Sequence, residues 1–387
     1  MYRITCVVGT RPEAIKMAPL ILTLRKDKRF TVTVLATGQH TEMLHQALSH
    51  FGIAADVNLN IMRDRQTLDH ITSAVLTGVG GFLDKTPQDM LLVHGDTSTT
   101  LAAALAGFYR HIPVGHVEAG LRSHDMSLPF PEEANRVLTD RLASLFFAPT
   151  RGDAENLKRE GLSRAGNGLC PPGRIHVTGN TVIDALFLTL KNLENRPEPE
   201  SLQNIPREAT LILMTAHRRE SWGEPLHRIC GAVADLLRER PEIHILIPLH
   251  KNPTVREAIR QDLGAFAEGT PGQVIFTEPL SYPDFVSAMD RSLFILSDSG
   301  GIQEEASALK KPVLILRTLS ERPDAVTQGT GILVGTDPER ILSEARHLLD
   351  DVTYRQSFVS RESAPFGDGT ASAKIREIIA QYLEAGA

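Results

Sequence analysis

Short apolar runs alternate with longer amphipathic segments along most of the chain, and this alternation limits the possible fold more than any other feature. The runs have the length of strands that are buried on both faces, and the segments between them have helical periodicity. In the first part of the chain the runs cover residues 4–8, 32–37, 90–95, 114–119 and 145–149. The pattern predicts an α/β fold in which helices cover both faces of a parallel sheet.

A stretch rich in Gly and Pro at residues 161–174 and a polar, Pro-rich stretch at 194–208 interrupt the alternation. Further apolar runs then follow at 210–217, 243–250, 274–279, 293–298, 313–316 and 332–335. We therefore predict two Rossmann-like domains that meet at a cleft, residues 1–171 and 172–368. The C-terminal segment 369–387 has the pattern of an amphipathic helix and is expected to pack back on the first domain.

The composition favours a soluble protein of the cytoplasm. The chain has 387 residues, enough for two domains, and its net charge of −6 argues against a nucleic-acid-binding protein. Its three widely spaced cysteines, Cys6, Cys170 and Cys230, indicate neither a disulfide framework nor a zinc site. We expect no signal peptide, because the first residues show no basic region followed by an apolar stretch and a small-residue cleavage site. We expect no membrane-spanning segment either, because no apolar run approaches the roughly 20 residues that a bilayer requires.

Polar and charged residues follow most of the predicted strands. In an open parallel sheet, ligands bind beyond the carboxyl ends of the strands, so these positions are the first candidates for a functional site. The clusters are GTRPEAIK (9–16), HGDT (94–97), HVEAGLRS (116–123), TAHRRE (215–220), PLHKNP (248–253) and SDSGGIQEE (297–305). So many clusters at the same kind of position predict a binding site at this edge of both sheets.

Several of these residues also have a purely structural explanation. Arg11 stands in a tight turn before a helix, and Asp96 could cap the helix that follows it. His217 could be a buried histidine with a local partner. Glu118 follows a buried strand, where a carboxylate is costly unless it is paired, and a functional role is therefore favoured.

The sequence Ser299-Gly300-Gly301 is the most informative cluster. Placed between a strand and a helix, it exposes backbone N–H groups at the positive end of the helix, which suits a diphosphate. The patterns GxxxxGK(S/T) and GxGxxG are both absent, so we predict neither a P-loop nor a redox dinucleotide cofactor. No HExxH or paired-His spacing occurs either, and Arg and Lys rather than a metal are expected to meet the phosphates.

Taken together, GTRPEAIKMAPL, VHGDTSTTLAAALAGFYRHIPVGHVEAGLRS, PFPEEANR, TAHRRE and SDSGGIQEEA resemble the non-hydrolysing UDP-N-acetylglucosamine 2-epimerase family. The resemblance extends over essentially the whole chain. It implies a GT-B-like pair of Rossmann domains, a homodimer, and interconversion of UDP-GlcNAc and UDP-ManNAc without a metal or redox cofactor. The reaction of this family proceeds by elimination of UDP to a 2-acetamidoglucal, followed by re-addition.

The resemblance also implies roles for individual residues. Asp96, Glu118 and Glu132 match the acid/base carboxylates, and which of them removes the C2 proton stays open. His217 matches an active-site histidine near the phosphates. The positions that match substrate-binding residues are Arg11, Lys16, Leu280, Phe285, Ser299, Gly300, Gly301, Glu305 and Arg322. Among these, Glu305 matches the acceptor for ribose hydroxyls and Phe285 an aromatic residue at the uracil pocket.

Some bacterial members of the family bind a second, activating UDP-GlcNAc molecule. The positions that match this allosteric site are Gln39, His40, Glu42, Arg65, Arg218 and His250, with Glu132 shared. The chain departs from the bacterial pattern at Glu42, where some members have Gln, and at Leu128, where the motif often has Ser. Whether this chain is activated allosterically therefore stays open.

Four alternatives remain compatible with the sequence. A hydrolysing epimerase would use the same elimination and release free ManNAc and UDP. A C2 epimerase of a related UDP-diacetamido sugar would differ only in the sugar pocket. A GT-B glycosyltransferase would require an acceptor but not the three carboxylates, and a UDP-sugar sensor without catalysis should lack at least one of them.

Overall fold

The computed structural model describes residues 1–38, 41–63, 66–162, 174–194, 196–216, 218, 221–268, 273–318, 322–359 and 364–386. The chain divides into two compact units. The first unit comprises Met1–Leu188 together with Phe366–Ala387, and the second comprises Thr189–Pro365. None of the helices in the described ranges combines the length and the apolar character that crossing a membrane requires.

The first unit is built on a seven-stranded parallel sheet with the order β3-β2-β1-β4-β5-β6-β7. The strands are β1 (Tyr2–Val8), β2 (Phe30–Ala36), β3 (Val57–Asn58), β4 (Met90–His94), β5 (Val114–Val117), β6 (Leu145–Ala148) and β7 (Arg174–Val177). The helices are α1 (Arg11–Arg25), α2 (Thr41–His50), α3 (Leu68–Lys85), α4 (Ser98–Phe108), α5 (Glu132–Leu142), α6 (Arg151–Arg159) and α7 (Thr181–Leu193), whose last turn belongs to the second unit.

The second unit has a six-stranded parallel sheet with the order β10-β9-β8-β11-β12-β13. Its strands are β8 (Thr210–Thr215), β9 (Ile243–Pro248), β10 (Val274–Thr277), β11 (Phe294–Ser297), β12 (Val313–Ile315) and β13 (Gly331–Leu333). Its helices are α8 (Glu200–Gln203), α9 (Glu224–Glu239), α10 (Pro253–Leu263), α11 (Tyr282–Arg291), α12 (Gly300–Ala308), α13 (Pro323–Thr327), α14 (Pro338–Asp350) and α15 (Val352–Val359). The α/β class with two Rossmann-like sheets is confirmed.

The strand order fixes where a ligand can bind in each unit. The direction of winding reverses between β1 and β4 in the first sheet and between β8 and β11 in the second. At such a switch point the two following loops diverge and leave a crevice at the carboxyl edge. The loops that begin at Gly9 and Gly95 border the crevice in the first unit, and those after Thr215 and Ser297 border it in the second.

Helix α4 packs close to the sheet because its inward side chains are small. Its buried residues include Ala102, Ala103, Ala104 and Ala106, and it packs between α3 and α5. The strand before it, β4, is buried along its whole length, as expected for a strand covered on both faces. The close packing helps to fix the position of the β4–α4 turn at the carboxyl edge of the sheet.

The last helix, α16 (Ala371–Gly386), belongs to the first unit and packs on α1. The Asp184 carboxylate accepts hydrogen bonds from the backbone N–H groups of Ala371 at 3.2 Å and Ser372 at 2.8 Å, and so satisfies donors at the start of this helix. Further along, Arg29 lies 3.2 Å from the Glu377 carboxylate. The C-terminal helix is therefore held to α7 and to the loop before β2.

The division between the units falls between residues 188 and 189, whereas the Gly- and Pro-rich stretch suggested a boundary after residue 171. The segment 174–177 is responsible for the difference. It forms β7, which pairs in parallel with β6 from Leu145 to Ala148 and so completes the first sheet. Strand pairing, rather than local composition, decides which unit this segment joins.

Candidate active site

Loops after three neighbouring strands of the first sheet bring charged side chains together. The strands β1, β4 and β5 lie side by side, and Arg11, Asp96 and Glu118 follow their carboxyl ends. Lys16 reaches the same region from the second turn of α1. Arg11 is half-buried, and burial lowers its pKa. The structure thus brings together Lys16, Asp96 and Glu118, with Arg11 at the same edge of the sheet.

Glu118 is the most constrained of these residues. Its Oε2 lies 2.5 Å from Lys16 Nζ and 3.1 Å from His94 Nε2, although the histidine contact lacks hydrogen-bond geometry. The residue is 9% exposed and its backbone has φ of +67°, a conformation that non-glycine residues adopt rarely and at a cost of about 1–3 kcal/mol. Such strain at a buried carboxylate points to a functional demand on its position.

Asp96 lies in the turn after β4 and carries a carboxyl group with an altered proton affinity. Burial raises its pKa, and the negative charges of Glu118 and Glu132 add to this effect, while Arg136 and Lys16 oppose it. Arg136 Nη2 lies 3.1 Å from Asp96 Oδ2.

Asp96 does not cap the helix that follows it. The N-cap of α4 is Thr97, whose side chain accepts the hydrogen bond from Thr100 N. The structural explanation that the sequence allowed for Asp96 is therefore excluded, and its carboxylate is available for another role.

Glu132, the first residue of α5, is half-buried. Arg136 lies four residues further along the helix, a spacing that fits an ion pair with Glu132. The guanidinium instead donates to the backbone oxygen of Glu132, at 3.4 Å. The side chain of Arg136 lies instead against Asp96 and, at 3.4 Å, against Glu133. Glu133 is almost fully buried and accepts hydrogen bonds from the backbone N–H groups of Ser123 and His124.

Glu13 is a residue of this region to which the sequence analysis gave no role. Its buried carboxylate accepts hydrogen bonds from Gly9 N at 2.6 Å, Thr10 N at 2.8 Å, Thr97 Oγ1 at 2.5 Å and Thr100 Oγ1 at 3.3 Å. The local part is a capping box, which the T-x-x-E spacing of Thr10 and Glu13 signals. The bonds to the threonines tie the loop after β1 to the loop after β4, the two sides of the switch point.

In the second unit, the loop between β11 and α12 has the features of an anion site. Helix α12 begins at Gly300, and the side chain of its N-cap Ser299 accepts no hydrogen bond from the first turn. A Cβ atom placed on Gly300 or Gly301 would meet nothing within 4 Å. Packing within the described protein therefore does not require glycine at either position, and the open space lies at the positive end of a helix.

Glu305 and Arg322, in the same unit, each pair with a buried side chain. Tyr282 Oη donates to Glu305 Oε1 at 2.7 Å, and burial followed by the nearby carboxylate raises the tyrosine pKa. Sequence reasoning did not anticipate this hydrogen bond between Tyr282 and Glu305. Arg322 is paired through Nε with Glu304 Oε1.

Asp298, which directly precedes Ser299, ties the two loops of this switch point together. It is fully buried, and its Oδ2 accepts hydrogen bonds from Arg218 N at 2.8 Å and Ser221 Oγ at 3.3 Å. On the other side of the loop, Ser297 Oγ lies 2.9 Å from Thr215 Oγ1. The start of α12 is thus positioned by contacts with the end of β8 and the segment that follows it.

The remaining predicted residues lie nearer to the surface. Leu280 and Phe285 are half-buried at the loop after β10 and in the first turn of α11. Of the candidate allosteric residues, Glu42 and His250 are exposed and Arg218 is half-buried. Gln39, His40, Arg65 and the candidate catalytic His217 lie outside the described residues.

Comparison with known proteins shows to which family this chain belongs. A sequence model described as UDP-N-acetylglucosamine 2-epimerase matches residues 22–380. The UDP-N-acetylglucosamine 2-epimerase of Escherichia coli K12 is 46% identical over 382 residues, which cover 97% of this chain and 98% of that protein. The chain belongs to the UDP-N-acetylglucosamine 2-epimerase family. The resemblance seen in the motifs is thereby confirmed.

Solved structures of the epimerase family agree with this assignment. The structure of the UDP-GlcNAc 2-epimerase from Neisseria meningitidis bound to UDP-GlcNAc superposes with a TM-score of 0.87 at 44% identity, covering 98% of this chain and 100% of that chain. A Staphylococcus aureus structure with UDP superposes with a TM-score of 0.86 at 43% identity, covering 99% of this chain and 97% of that chain. Within the described part of this epimerase-family chain, no three His, Cys, Asp or Glu side chains are grouped so as to hold a metal ion.

Proposed function

We propose that this protein interconverts UDP-GlcNAc and UDP-ManNAc by elimination and re-addition of UDP. The observation that carries the proposal is the pair of carboxyl groups, the half-buried Asp96 and the buried Glu118, on adjacent strand ends in a member of this family. Glu118 contacts Lys16 and Asp96 contacts Arg136, so the two carboxyl groups lie in different electrostatic surroundings. Two carboxyl groups whose surroundings differ in this way can act as base and acid.

The reaction needs a base for the C2 proton and a proton donor on the opposite face of the sugar ring. In the first half, the base takes the C2 proton, the C1–O bond breaks, and UDP leaves with the bonding electron pair, giving the C1=C2 double bond of 2-acetamidoglucal. In the second half, a phosphate oxygen of UDP bonds to C1 again while the other face of C2 receives a proton.

We assign the base to Glu118 and the proton donor to Asp96. The Lys16 ammonium group at 2.5 Å stabilises a negative charge on Glu118, as a base requires. Burial raises the pKa of Asp96, so this carboxyl group retains its proton to higher pH than an ordinary aspartic acid. Glu132 and His217 complete the proposed set, with Glu132 as a further acid/base group and His217 near the departing diphosphate.

The proposal places the nucleotide on the second unit. Ser299, Gly300 and Gly301 would donate backbone N–H groups to the diphosphate, a stabilisation that matters most as negative charge develops on the leaving UDP. Glu305, whose carboxylate accepts a hydrogen bond from Tyr282, would accept hydrogen bonds from ribose hydroxyls. Arg11, Arg322, Leu280 and Phe285 are assigned to the phosphates and the uracil on the basis of the family alone.

Replacing Gly301 by Ala tests the diphosphate loop. We expect UDP affinity to fall at least tenfold, because a methyl group would fill the space that the phosphate is proposed to occupy. The unfolding midpoint should stay constant or rise slightly, since a Cβ at this position meets nothing within 4 Å. Gly231→Ala in α9, where a Cβ also meets nothing, is the matched control and should leave UDP affinity unchanged in isothermal titration. Equal UDP affinities of the Gly301 variant and the parent would contradict the assignment.

Incubation with UDP-GlcNAc in D2O tests the reaction itself. We expect UDP-ManNAc to appear and deuterium to be incorporated at C2 of both UDP-sugars, because the removed proton exchanges with solvent before a proton returns. Mass spectrometry and proton NMR of the products measure both. Recovery of unlabelled UDP-GlcNAc as the single species would refute the proposal, and substantial free ManNAc would identify a hydrolysing enzyme instead.

The same assay with a UDP-diacetamido sugar decides the sugar preference, for which the described residues give no independent indication. A homodimer belongs to the proposal as an implication of the family, and a cytoplasmic location belongs to it on the basis of the composition. Activation by a second UDP-GlcNAc molecule is also retained as a proposal, with Glu42, Arg218 and His250 as its described residues, and it predicts a sigmoidal dependence of rate on UDP-GlcNAc concentration.

A further inference from the structure

Four ionisable side chains form a connected cluster next to the turn that carries Asp96. His116, in the middle of β5, places Nδ1 2.6 Å from Asp140 Oδ1 on α5, and both residues are fully buried. Arg122 Nη2 lies 2.7 Å from the other oxygen of Asp140, and Arg122 Nε lies 2.6 Å from Glu160 Oε1. None of these residues belongs to the set that the motifs assigned to the reaction.

Both ring nitrogens of His116 face atoms that can only accept hydrogen bonds. Nδ1 faces the Asp140 carboxylate, and Nε2 lies 2.7 Å from the carbonyl oxygen of Gly95. A neutral imidazole carries one N–H, so one of the two contacts would then join two lone pairs at hydrogen-bond distance. The geometry is satisfied only by the doubly protonated ring, the imidazolium.

The surroundings compensate the charge that this protonation state requires. Burial alone would raise the pKa of Asp140, but His116 and Arg122 outweigh it and hold the pKa below its ordinary value, so the carboxylate stays ionised. Arg122 and Glu160 supply a second cation and a second anion, and the exposed Arg141 lies 3.6 Å from the Glu160 carboxylate. The neighbours of His116 on the flanking strands, Val93 and Phe146, are apolar and contribute no charge.

The imidazolium acts on the turn that carries Asp96. Gly95 has φ of +68°, its N–H donates to Val117 O at 2.9 Å, and its carbonyl oxygen accepts from His116. The carbonyl oxygen of Asp96 itself accepts from Asn135 Nδ2 at 2.9 Å. Because Asn135 and Asp140 both lie on α5, this helix holds the turn from two sides, directly and through His116.

We propose that His116 is a positioning residue whose ring donates from both nitrogens as an imidazolium, and that its hydrogen bond to the Gly95 carbonyl fixes the turn that presents Asp96. The residue touches no substrate. Its charge makes the bond to the carbonyl stronger than a neutral donor would, since charge-assisted hydrogen bonds are roughly twice as strong as neutral ones.

The charge state is tested on the intact protein by NMR after selective 15N labelling of the histidine rings. At pH 8, exposed histidines are neutral, since their ordinary pKa is about 6.5. We expect one histidine to keep two protonated ring nitrogens at this pH, and its signals to be absent from His116→Gln. His176→Gln, in β7 of the same sheet, should leave these signals in place. A His116 ring with a single protonated nitrogen would overturn the proposal.

The positioning role rests on the proposed epimerase function and is tested by kinetics. We expect His116→Gln to lower kcat about 10- to 100-fold, while KM and UDP affinity change less than threefold, because the nucleotide is assigned to other residues. His176→Gln should retain parental kcat. Parental kcat in a folded His116→Gln protein would overturn the positioning role.

A second variant separates positioning from loss of fold. Asp140→Asn keeps the imidazole ring and the size of its partner but removes the negative charge, and it should lower kcat with the same split between kcat and KM. A parental kcat in this variant would also overturn the role, including where His116→Gln does not fold. If the unmodified protein shows no turnover, the proposed function fails instead, and the NMR result still decides the charge of His116.

Discussion

Glu118→Gln is expected to lower kcat for UDP-GlcNAc epimerisation by about 10²- to 10⁴-fold, the usual contribution of a positioned acid or base. The amide keeps the size of the side chain but cannot accept the C2 proton. UDP affinity should change less than threefold, because a group that acts in the transition state affects kcat rather than binding. Initial rates by coupled assay or NMR, together with isothermal titration of UDP, measure both quantities.

Two further variants make the result on Glu118 specific. Glu155→Gln, on the exposed surface of α6 next to Lys158, removes a carboxylate from a surface ion pair and should leave kcat unchanged. Asp96→Asn should lower kcat to a similar extent as Glu118→Gln. If Glu118→Gln and Asp96→Asn both turn over UDP-GlcNAc at the parental rate, the assignment of the acid/base pair is wrong.

Glu13→Gln is expected to lower the free energy of unfolding by about 3 kcal/mol, a large effect for a substitution that adds no volume. The parental carboxylate accepts four hydrogen bonds, two from backbone N–H groups and two from threonine hydroxyls. An amide in its place offers one oxygen and turns an NH2 group toward donors. Because these bonds join the two loops of the switch point, kcat should fall as well.

Asp153 provides a matched control for Glu13. It forms the same kind of capping box at α6, with bonds to Thr150 N at 3.1 Å and Thr150 Oγ1 at 2.8 Å. Asp153→Asn should therefore cost about 1 kcal/mol, the usual value of a helix cap. Urea unfolding followed by far-UV circular dichroism measures both variants, and the fluorescence of the single Trp222 reports on the second unit. Equal losses in the two variants would show that the bonds between the loops add nothing.

The sequence was sufficient to predict the fold class, because apolar runs of strand length alternated with helical segments in both halves of the chain. It also located most of the candidate site, since the residues that follow strands β1, β4, β5 and β11 were read directly from the strand ends. The unit boundary was not predictable in the same way. Whether 174–177 joins the first or the second sheet depends on its pairing with β6, which leaves no local mark in the composition.

The partners of the charged residues were the other part that local patterns could not give. The spacing from Glu132 to Arg136 fits a pair on one helix, yet the guanidinium extends to Asp96, which is remote in sequence and adjacent only in the fold. The spacing of Thr10 and Glu13 predicts a capping box, but the hydrogen bond from Thr97 to Glu13 can form only because β1 and β4 are neighbours in the sheet. Nothing in the local sequence distinguishes His116 from other strand residues, because its partner Asp140 lies on α5.

The return of α16 to the first unit has a consequence for the order of events during synthesis. All residues of the second unit, Thr189–Pro365, leave the ribosome before α16 does. The second unit can therefore complete its sheet while the chain is still growing. The first unit lacks α16 until the end of synthesis, and with it the backbone N–H groups of Ala371 and Ser372 that donate to Asp184. The first unit can therefore be completed only after the whole second unit has been synthesised. A chain cut short after residue 365 would lack α16 although every proposed catalytic residue had been made.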